Sequence, residues 1–166
     1  MNPDYQKLIE TAKSKKKENK KFLDRLQNAA PSDLDAVTNE LHDLSFGHID
    51  CLQCANCCRT TGPLLKQKDI ERVAKQLRKR PSEFATQYLR IDEDGDYVFQ
   101  HMPCPFLGAD NCCSVYDDRP NACRDYPHTQ QRKIIQKLKI TYHNSMICPA
   151  VAEVVEGLKK KYGTKV

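Results

Sequence analysis

Four cysteines lie within eight residues of this chain, in the order Cys51-x2-Cys54-x2-Cys57-Cys58. The two-residue gaps let neighbouring sulfur atoms converge on one metal ion through a tight turn of the backbone. No other stretch of the 166 residues restricts folding as strongly, because a chain that binds metal with these thiols must wrap around them. The pattern therefore predicts a metal-binding core in the middle of the chain.

Five more cysteines follow, namely Cys104, Cys112, Cys113, Cys123 and Cys148. One tetrahedral zinc ion takes four ligands, and one cubane cluster of four irons also takes four cysteines. The cysteines thus exceed the needs of one such centre, which favours two sites or one polynuclear cluster with bridging thiolates. Adjacent Cys57 and Cys58 point in different directions, so they would serve two metals or two sides of one cluster.

Composition indicates a small apolar core, since 39% of the residues are hydrophobic, 30% are charged and Trp is absent. The first 25 residues contain no apolar run typical of a signal peptide, and no stretch approaches the ~20 apolar residues of a membrane span. We therefore expect a cytoplasmic protein without a membrane span, in which cysteines stay reduced or bind metal. Disulfides or simple apolar burial are the weaker interpretation of these cysteines.

The cysteines recur in short motifs, which read Cys51-x2-Cys54-x2-Cys57-Cys58, Cys104-Pro-Phe-Leu107, Cys113-Ser-Val-Tyr116, Arg119-Pro-Asn-Ala-Cys123-Arg124-Asp-Tyr-Pro127 and Cys148-Pro149. In content and order they resemble the YkgJ-like CxxCxxCC cysteine-cluster family, described as a zinc- or iron-chelating domain. The resemblance covers Cys51 to Pro149. It implies eight metal ligands, which are Cys51, Cys54, Cys57, Cys58, Cys104, Cys113, Cys123 and Cys148.

Cys112 is an addition to the family pattern, and we expect it to remain a free thiol. Zinc is the favoured metal, with iron or an iron–sulfur cluster as the alternative, because all of them accept thiolate ligands. Arg119 and Arg124 are expected to balance the negative charge of the cluster. The imidazole side chains of His101, His128 and His143 could each replace a thiolate as a metal ligand. The simpler interpretation is that these histidines lie at the surface or beside the metal ligands.

The first functional hypothesis is a metal-binding protein whose thiolate-ligated centre, of two metals or one polynuclear cluster, is structural or serves metal handling. Coordination by thiolates alone leaves no open position, which argues against hydrolysis at zinc. The alternative is an iron–sulfur redox or methyltransferase-type enzyme, because the flagellin lysine-N-methylase is similar in its cysteine pattern. No catalytic Ser/His/Asp order, nucleotide-binding glycine loop or H-E-x-x-H motif is present, so whether the protein is an enzyme stays open.

The expected fold is mainly α, with a helical hairpin and a small, loop-rich, cysteine-rich metal-centred domain that contains at most one short β-hairpin. Apolar spacing predicts a long helix over residues 4–28 and a second helix in which Leu34, Val37, Leu41 and Leu44 form one stripe. Further helices are predicted at residues 66–80, 81–89, 129–138 and 149–162. Arg90-Ile91 and Tyr97-Val98-Phe99 would form the β-hairpin around an acidic turn.

Three domains follow from these patterns. They are a basic N-terminal helical hairpin (residues 1–46), a cysteine-cluster metal-binding domain (47–150) and a C-terminal helix (151–166). The basic runs at residues 13–21, 78–80 and 159–161 are interpreted as solvated helix faces, since acidic residues are interspersed. The expected partners are metal ions, with no specific nucleic acid. A protein partner or a homodimer could use the N-terminal helices.

Overall fold

A computed structural model describes residues 2–164 and confirms a mainly α fold, with 61% of residues helical. The helices are Pro3–Ser14 (α1), Lys16–Ala29 (α2), Leu34–Phe46 (α3), Cys51–Cys54 (α4), Asn56–Thr60 (α5), Gln67–Gln76 (α6), Pro81–Tyr88 (α7), Asn121–Asp125 (α8), Leu138–Ser145 (α9) and Pro149–Tyr162 (α10). Short 3-10 helices cover Tyr116–Asp118 and Ile134–Lys137, and the strands are Leu89–Ile91 (β1) and Tyr97–Phe99 (β2). Over this described range, no helix is both long and apolar enough to cross a membrane.

The chain divides into two compact units. The first unit contains the described residues up to Cys54 and from Pro127 onward, and the second contains Ala55–Tyr126. These units follow spatial contacts, whereas the boundaries predicted at 46/47 and 150/151 follow motifs and composition. The motif-based domain boundaries remain a prediction.

Helix α10 is the centre of the first unit. Its inward face is fully apolar, and α1, α3 and α9 pack along it. The buried side chains of this helix are Pro149, Ala150, Val151, Ala152, Val154, Val155, Leu158 and Tyr162. Pro149 is the first residue of this helix. Proline is well tolerated there, because a backbone N–H in the first turn would have no hydrogen-bond acceptor within the helix.

The predicted helix over residues 4–28 consists of two consecutive helices, α1 and α2, that meet at Lys15 with φ −90° and ψ 13°. Both helices bury their apolar sides within the first unit, through Tyr5, Ile9, Ala12, Phe22, Leu23 and Leu26. Helix α1 packs against α10, and α2 packs against α9. The apolar stripe that could have supported a homodimer is therefore used inside the chain, and a homodimer stays a prediction.

Helix α3 is placed as predicted, but the predicted apolar stripe is wrong at its end, since Leu44 is 63% exposed. The buried face instead contains Leu34, Thr38, His42 and Ser45. Burial lowers the pKa of His42, whose Nδ1 lies 2.6 Å from Thr129 Oγ1. Polar side chains can thus occupy the core face of α3 because they find hydrogen-bond partners there.

The helix predicted at residues 129–138 begins at Ile134 instead of Thr129. Both carboxylate oxygens of Asp35 accept backbone hydrogen bonds, from the N–H groups of Lys133 and Ile134, each at 2.8 Å. Lys133 adopts a left-handed backbone conformation with φ 59°, which a continuous helix cannot contain. The chain therefore becomes helical only from Ile134.

The second unit has its own apolar core, made of Leu65, Ile70, Val73, Ala74, Phe84, Leu89, Phe99, Phe106 and Val115. The predicted helices at residues 66–80 and 81–89 are present as α6 and α7. The predicted β-hairpin is also confirmed, with Leu89 opposite Phe99 and Ile91 opposite Tyr97. Its strands bury Leu89 and Phe99 in the core and leave Ile91 exposed.

A test of the first unit uses Gly157, where α10 approaches α3. A Cβ atom at this position would lie 2.5 Å from Leu41 Cδ2, closer than van der Waals contact allows. We expect Gly157→Val to lower the free energy of unfolding by about 1–3 kcal/mol, because the helices must move apart. At Gly62 a Cβ would meet only Met102 Sδ, at 3.8 Å. Urea unfolding of Gly62→Val should match the wild type, and equal losses in both variants would contradict the prediction.

Candidate metal centre

The second unit places two motif cysteines beside Cys104. Cys57 and Cys58 lie on the five-residue helix α5, and the backbone N–H of Cys104 donates to the Cys58 carbonyl at 2.8 Å. This hydrogen bond joins the Cys104-Pro-Phe-Leu107 segment to α5. The first and second cysteine motifs are therefore adjacent, although 45 residues lie between Cys58 and Cys104.

A short loop then brings Cys113 back alongside that segment. Leu107 and Cys113 form an antiparallel bridge, and the N–H of Gly108 donates to the Cys112 carbonyl at 2.8 Å. A Cβ atom on Gly108 would lie 2.5 Å from Asp110 Oδ1 and 3.2 Å from the Cys112 carbonyl oxygen, so a larger residue would have to displace the Asp110 side chain. Phe106 and Val115, on either side of the loop, are buried in the apolar core and fix it in place.

Cys123 lies on α8, and a buried ion pair on α6 holds the loop that leads to it. Asp69 is 1% exposed and binds the Arg72 guanidinium at 2.7 Å, while its Oδ1 also accepts the N–H of Asn121 at 3.1 Å. Arg72 in turn donates to the carbonyl oxygens of Asp118 and Arg119. These bonds connect α6, which is part of the apolar core, to the backbone immediately before Cys123.

Four thiols of the second unit lie close enough for their charges to interact. Burial, together with smaller contributions from the neighbouring thiols of Cys104, Cys58 and Cys113, raises the pKa of Cys123 to about 12. Burial likewise raises the pKa of Cys104 to about 11, with contributions from Cys58 and Cys113. The structure thus brings together four of the predicted ligands in one region.

Cys58 differs from its neighbours. A hydrogen bond with the Cys57 thiol, at a sulfur–sulfur distance of 3.9 Å, lowers the pKa of Cys58 to about 7 against the effect of burial. The positive charges of Arg119 and Arg59 act in the same direction. Cys58 is therefore partly ionised at neutral pH.

The first unit contains the other three predicted ligands. Cys51 and Cys54 lie at the two ends of helix α4, and Cys148 is the residue immediately before α10. Burial is the main cause that raises the pKa of Cys148 to about 12; the charges of Cys51 and Cys54 contribute to the rise, and the N–H groups of Val151 and Ala150 oppose it. Cys51 and Cys54 therefore lie close enough for their charges to act on Cys148.

Two contacts hold the segment before Cys51 within the first unit. The Tyr5 hydroxyl donates to the His48 carbonyl at 3.2 Å and accepts the N–H of Asp50 at 2.9 Å. His48 Nε2 lies 3.0 Å from a carboxylate oxygen of Glu153, in the second turn of α10. The start of α4 is thereby fixed near the end of α10 that carries Cys148.

The arginines near the thiols differ in their contacts and in their effects on the thiol pKa values. The Arg119 guanidinium lies 3.7 Å above the Tyr116 ring, and its charge lowers the pKa of both Cys58 and Cys123, as expected of a charge-balancing residue. Arg124 donates to the carbonyl oxygens of Arg119 and Asp117, so it braces the loop. Arg59 also lowers the pKa of Cys58 and was not predicted, although it directly follows that cysteine in the sequence.

The remaining candidates are peripheral. Cys112 is exposed, and its hydrogen bond to the Asp110 carboxylate raises its thiol pKa. His101 and His143 are exposed, and His128 is half-buried. That Cys112 lies outside the ligand set remains a prediction.

The donor chemistry of the two groups suits zinc or iron, which both accept several thiolates. Free thiols are present at Cys58, Cys104, Cys113, Cys123 and Cys148. Among residues 2–164, however, no three Cys, His, Asp or Glu side chains stand in an arrangement that could hold a metal ion directly. The side chains would have to turn toward a shared point, which Cys rotamers and short loops allow.

A chain that gathers thiols in this way belongs to the class of cysteine-cluster metal-chelating proteins. A family model named CxxCxxCC and described as "Putative zinc- or iron-chelating domain" matches residues 50–149, more than half of the chain. The chain is a member of this family, as its motifs predicted. No curated protein and no solved structure gave a significant match.

Asp69 provides a test of how the site is held. Its hydrogen bonds outweigh burial and lower its pKa, so its stabilising effect is complete above about pH 4 and is lost as the pH falls through the folded-state value. We expect Asp69→Asn to cost about 2–3 kcal/mol at pH 7, because Arg72 is left without its carboxylate. Denaturant unfolding would measure the loss, which should shrink as the solution is acidified.

The matched control is Asp24→Asn. Asp24 also pairs with a cation, Lys20 at 2.9 Å, but its side chain is 58% exposed. Such surface pairs contribute at most about 1 kcal/mol. A loss in Asp24→Asn as large as in Asp69→Asn would show that the buried ion pair has no special role.

Proposed function

We propose that this protein binds metal through the eight family cysteines, with zinc as the favoured ion and a structural role as the favoured function. What supports the proposal most is the grouping of the thiols. Cysteines from separate motifs become neighbours in each compact unit, although burial alone disfavours their charged form. A bound cation removes that penalty by neutralising the thiolates.

The structural role is supported by the small size of the second unit's core. Nine residues form its apolar cluster, and the segment from residue 100 to 126 has only a 3-10 turn and the five-residue helix α8 as regular structure. Structural zinc sites contribute on the order of 10 kcal/mol to folding. We therefore expect chelation of the metal to loosen this cysteine-rich segment first.

An iron–sulfur redox or methyltransferase-type enzyme is the second proposal. It is supported by the same thiols, because spacing and ligand type do not separate zinc from iron. Cys58, with a pKa of about 7, would lose its proton to either metal at little cost at neutral pH. The two proposals predict proteins that differ in colour and in their content of inorganic sulfide.

Elemental analysis and an absorption spectrum of protein purified without oxygen decide between them. Colourless protein with about two zinc ions per chain supports the first proposal. Brown protein with iron and sulfide replaces it with the second. Protein that contains neither metal, and that takes up neither zinc nor iron when they are supplied, contradicts both.

Adjacent cysteines offer a matched pair for the ligand assignment. Cys113→Ser removes a proposed ligand, and we expect it to reduce the metal content and to cost roughly 3 kcal/mol or more of stability. Cys112→Ser changes the neighbouring exposed thiol and should leave metal content and melting temperature unchanged. Equal metal loss in the two variants would show that the assignment is wrong.

A further inference from the structure

We propose that the groove between helices α2 and α9 binds a small aromatic anion, such as an aryl carboxylate. Both helices belong to the first unit, and none of the side chains that line the groove is a predicted metal ligand. The groove encloses about 290 Å³, which is near the lower end of the roughly 300–1,000 Å³ of small-molecule sites. This binding site would therefore be separate from the proposed metal centre.

Helical spacing explains why the two helices present their side chains to one groove. On α2, Lys20 is followed by Leu23 and Asp24 at spacings of three and four residues, so the three lie on one side of the helix. On α9, Leu138 and Tyr142 have the same four-residue spacing. Leu23 and Leu138 are 2% and 1% exposed, so they close the bottom of the groove. Polar and aromatic side chains form its rim.

An aromatic side chain forms part of the wall on the α9 side. The centre of the Tyr142 ring lies 5.0 Å from that of the His143 ring, and the two planes meet edge to face at 67°. Both rings line the groove, and Tyr142 is only half-buried. Part of Tyr142 is thus accessible to a ligand, and aromatic rings gain more from packing on one another than their buried area alone provides.

The charges around the groove favour an anion. Lys20 Nζ binds the Asp24 carboxylate at 2.9 Å, and both side chains are more than half exposed. Within residues 2–164, no carboxylate forms an ion pair with Lys139. The two lysines and one carboxylate therefore leave one positive charge in excess, and His143 adds an imidazole that can donate a hydrogen bond. A carboxylate or sulfonate group would pair with these donors.

The dye anilinonaphthalene sulfonate is a suitable probe, because it is an aromatic anion whose fluorescence increases in apolar surroundings. We would titrate the full-length chain, as purified, with the dye. We expect saturable binding of about one dye per chain, displaced by naphthoate but not by the neutral naphthamide. An absence of saturable binding, or equal displacement by both compounds, overturns the proposal. Displacement by polyglutamate but not by naphthoate also overturns it, because the groove would then take an acidic peptide.

Charge variants test whether the dye binds in this groove. We expect Lys139→Gln to weaken dye binding roughly threefold or more, and Asp24→Asn to strengthen it, because the carboxylate no longer competes for Lys20. Lys21→Gln is the matched control, since Lys21 is exposed on α2 and does not line the groove. Unchanged affinity in Lys139→Gln, or an equal loss in Lys21→Gln, contradicts the assignment. Should a variant lose its helical circular dichroism, the two naphthyl compounds on the wild type decide alone.

Discussion

Burial disfavours the charged form of the clustered thiols, and repulsion between neighbouring thiolates adds to this cost, so that ionisation of the cysteines governs the chemistry of the site. Burial and neighbouring thiols raise the pKa of Cys104 to about 11 and of Cys123 and Cys148 to about 12. Without a cation these groups remain neutral thiols at physiological pH. The family's metal chelation is the reverse of the same effect, since one divalent ion offsets the repulsion and makes deprotonation favourable.

The units that hold the thiols do not depend on metal alone. Helix α10 organises an apolar core in the first unit, and α6 and α7 with the β-hairpin organise another in the second. Hydrogen bonds from Asp69 and Arg72 on α6 hold the loop before Cys123 in a fixed position relative to that helix. The protein therefore fixes the backbone of each cysteine segment in advance, so that ligand binding needs mainly side-chain rotation.

Local patterns in the sequence predicted the elements that depend on interactions between residues close together in the chain. The helices near residues 66–89, the β-hairpin and the loop-rich cysteine segment follow from periodicity, Pro81 and the acidic turn, and the family follows from motif order. Burial of His42, the late start of the helix at Ile134 and the loop anchor at Asp69 depend on partners far away in the chain. Asp69 lies in the first turn of α6, and no local pattern of the sequence indicates its contact with Asn121.

The difference between local and long-range interactions also applies to the metal site. Spacing identified the thiols that can bind metal, yet it treated Cys51, Cys54, Cys57 and Cys58 as one group because they are close in sequence. The boundary between the compact units falls after Cys54, so Cys51 and Cys54 belong to one unit and Cys57 and Cys58 to the other. From the sequence alone, coordination by thiolates only argued against an open position on the metal. That argument counts all thiols of the chain, whereas the coordination number of an ion depends on the ligands that surround that ion.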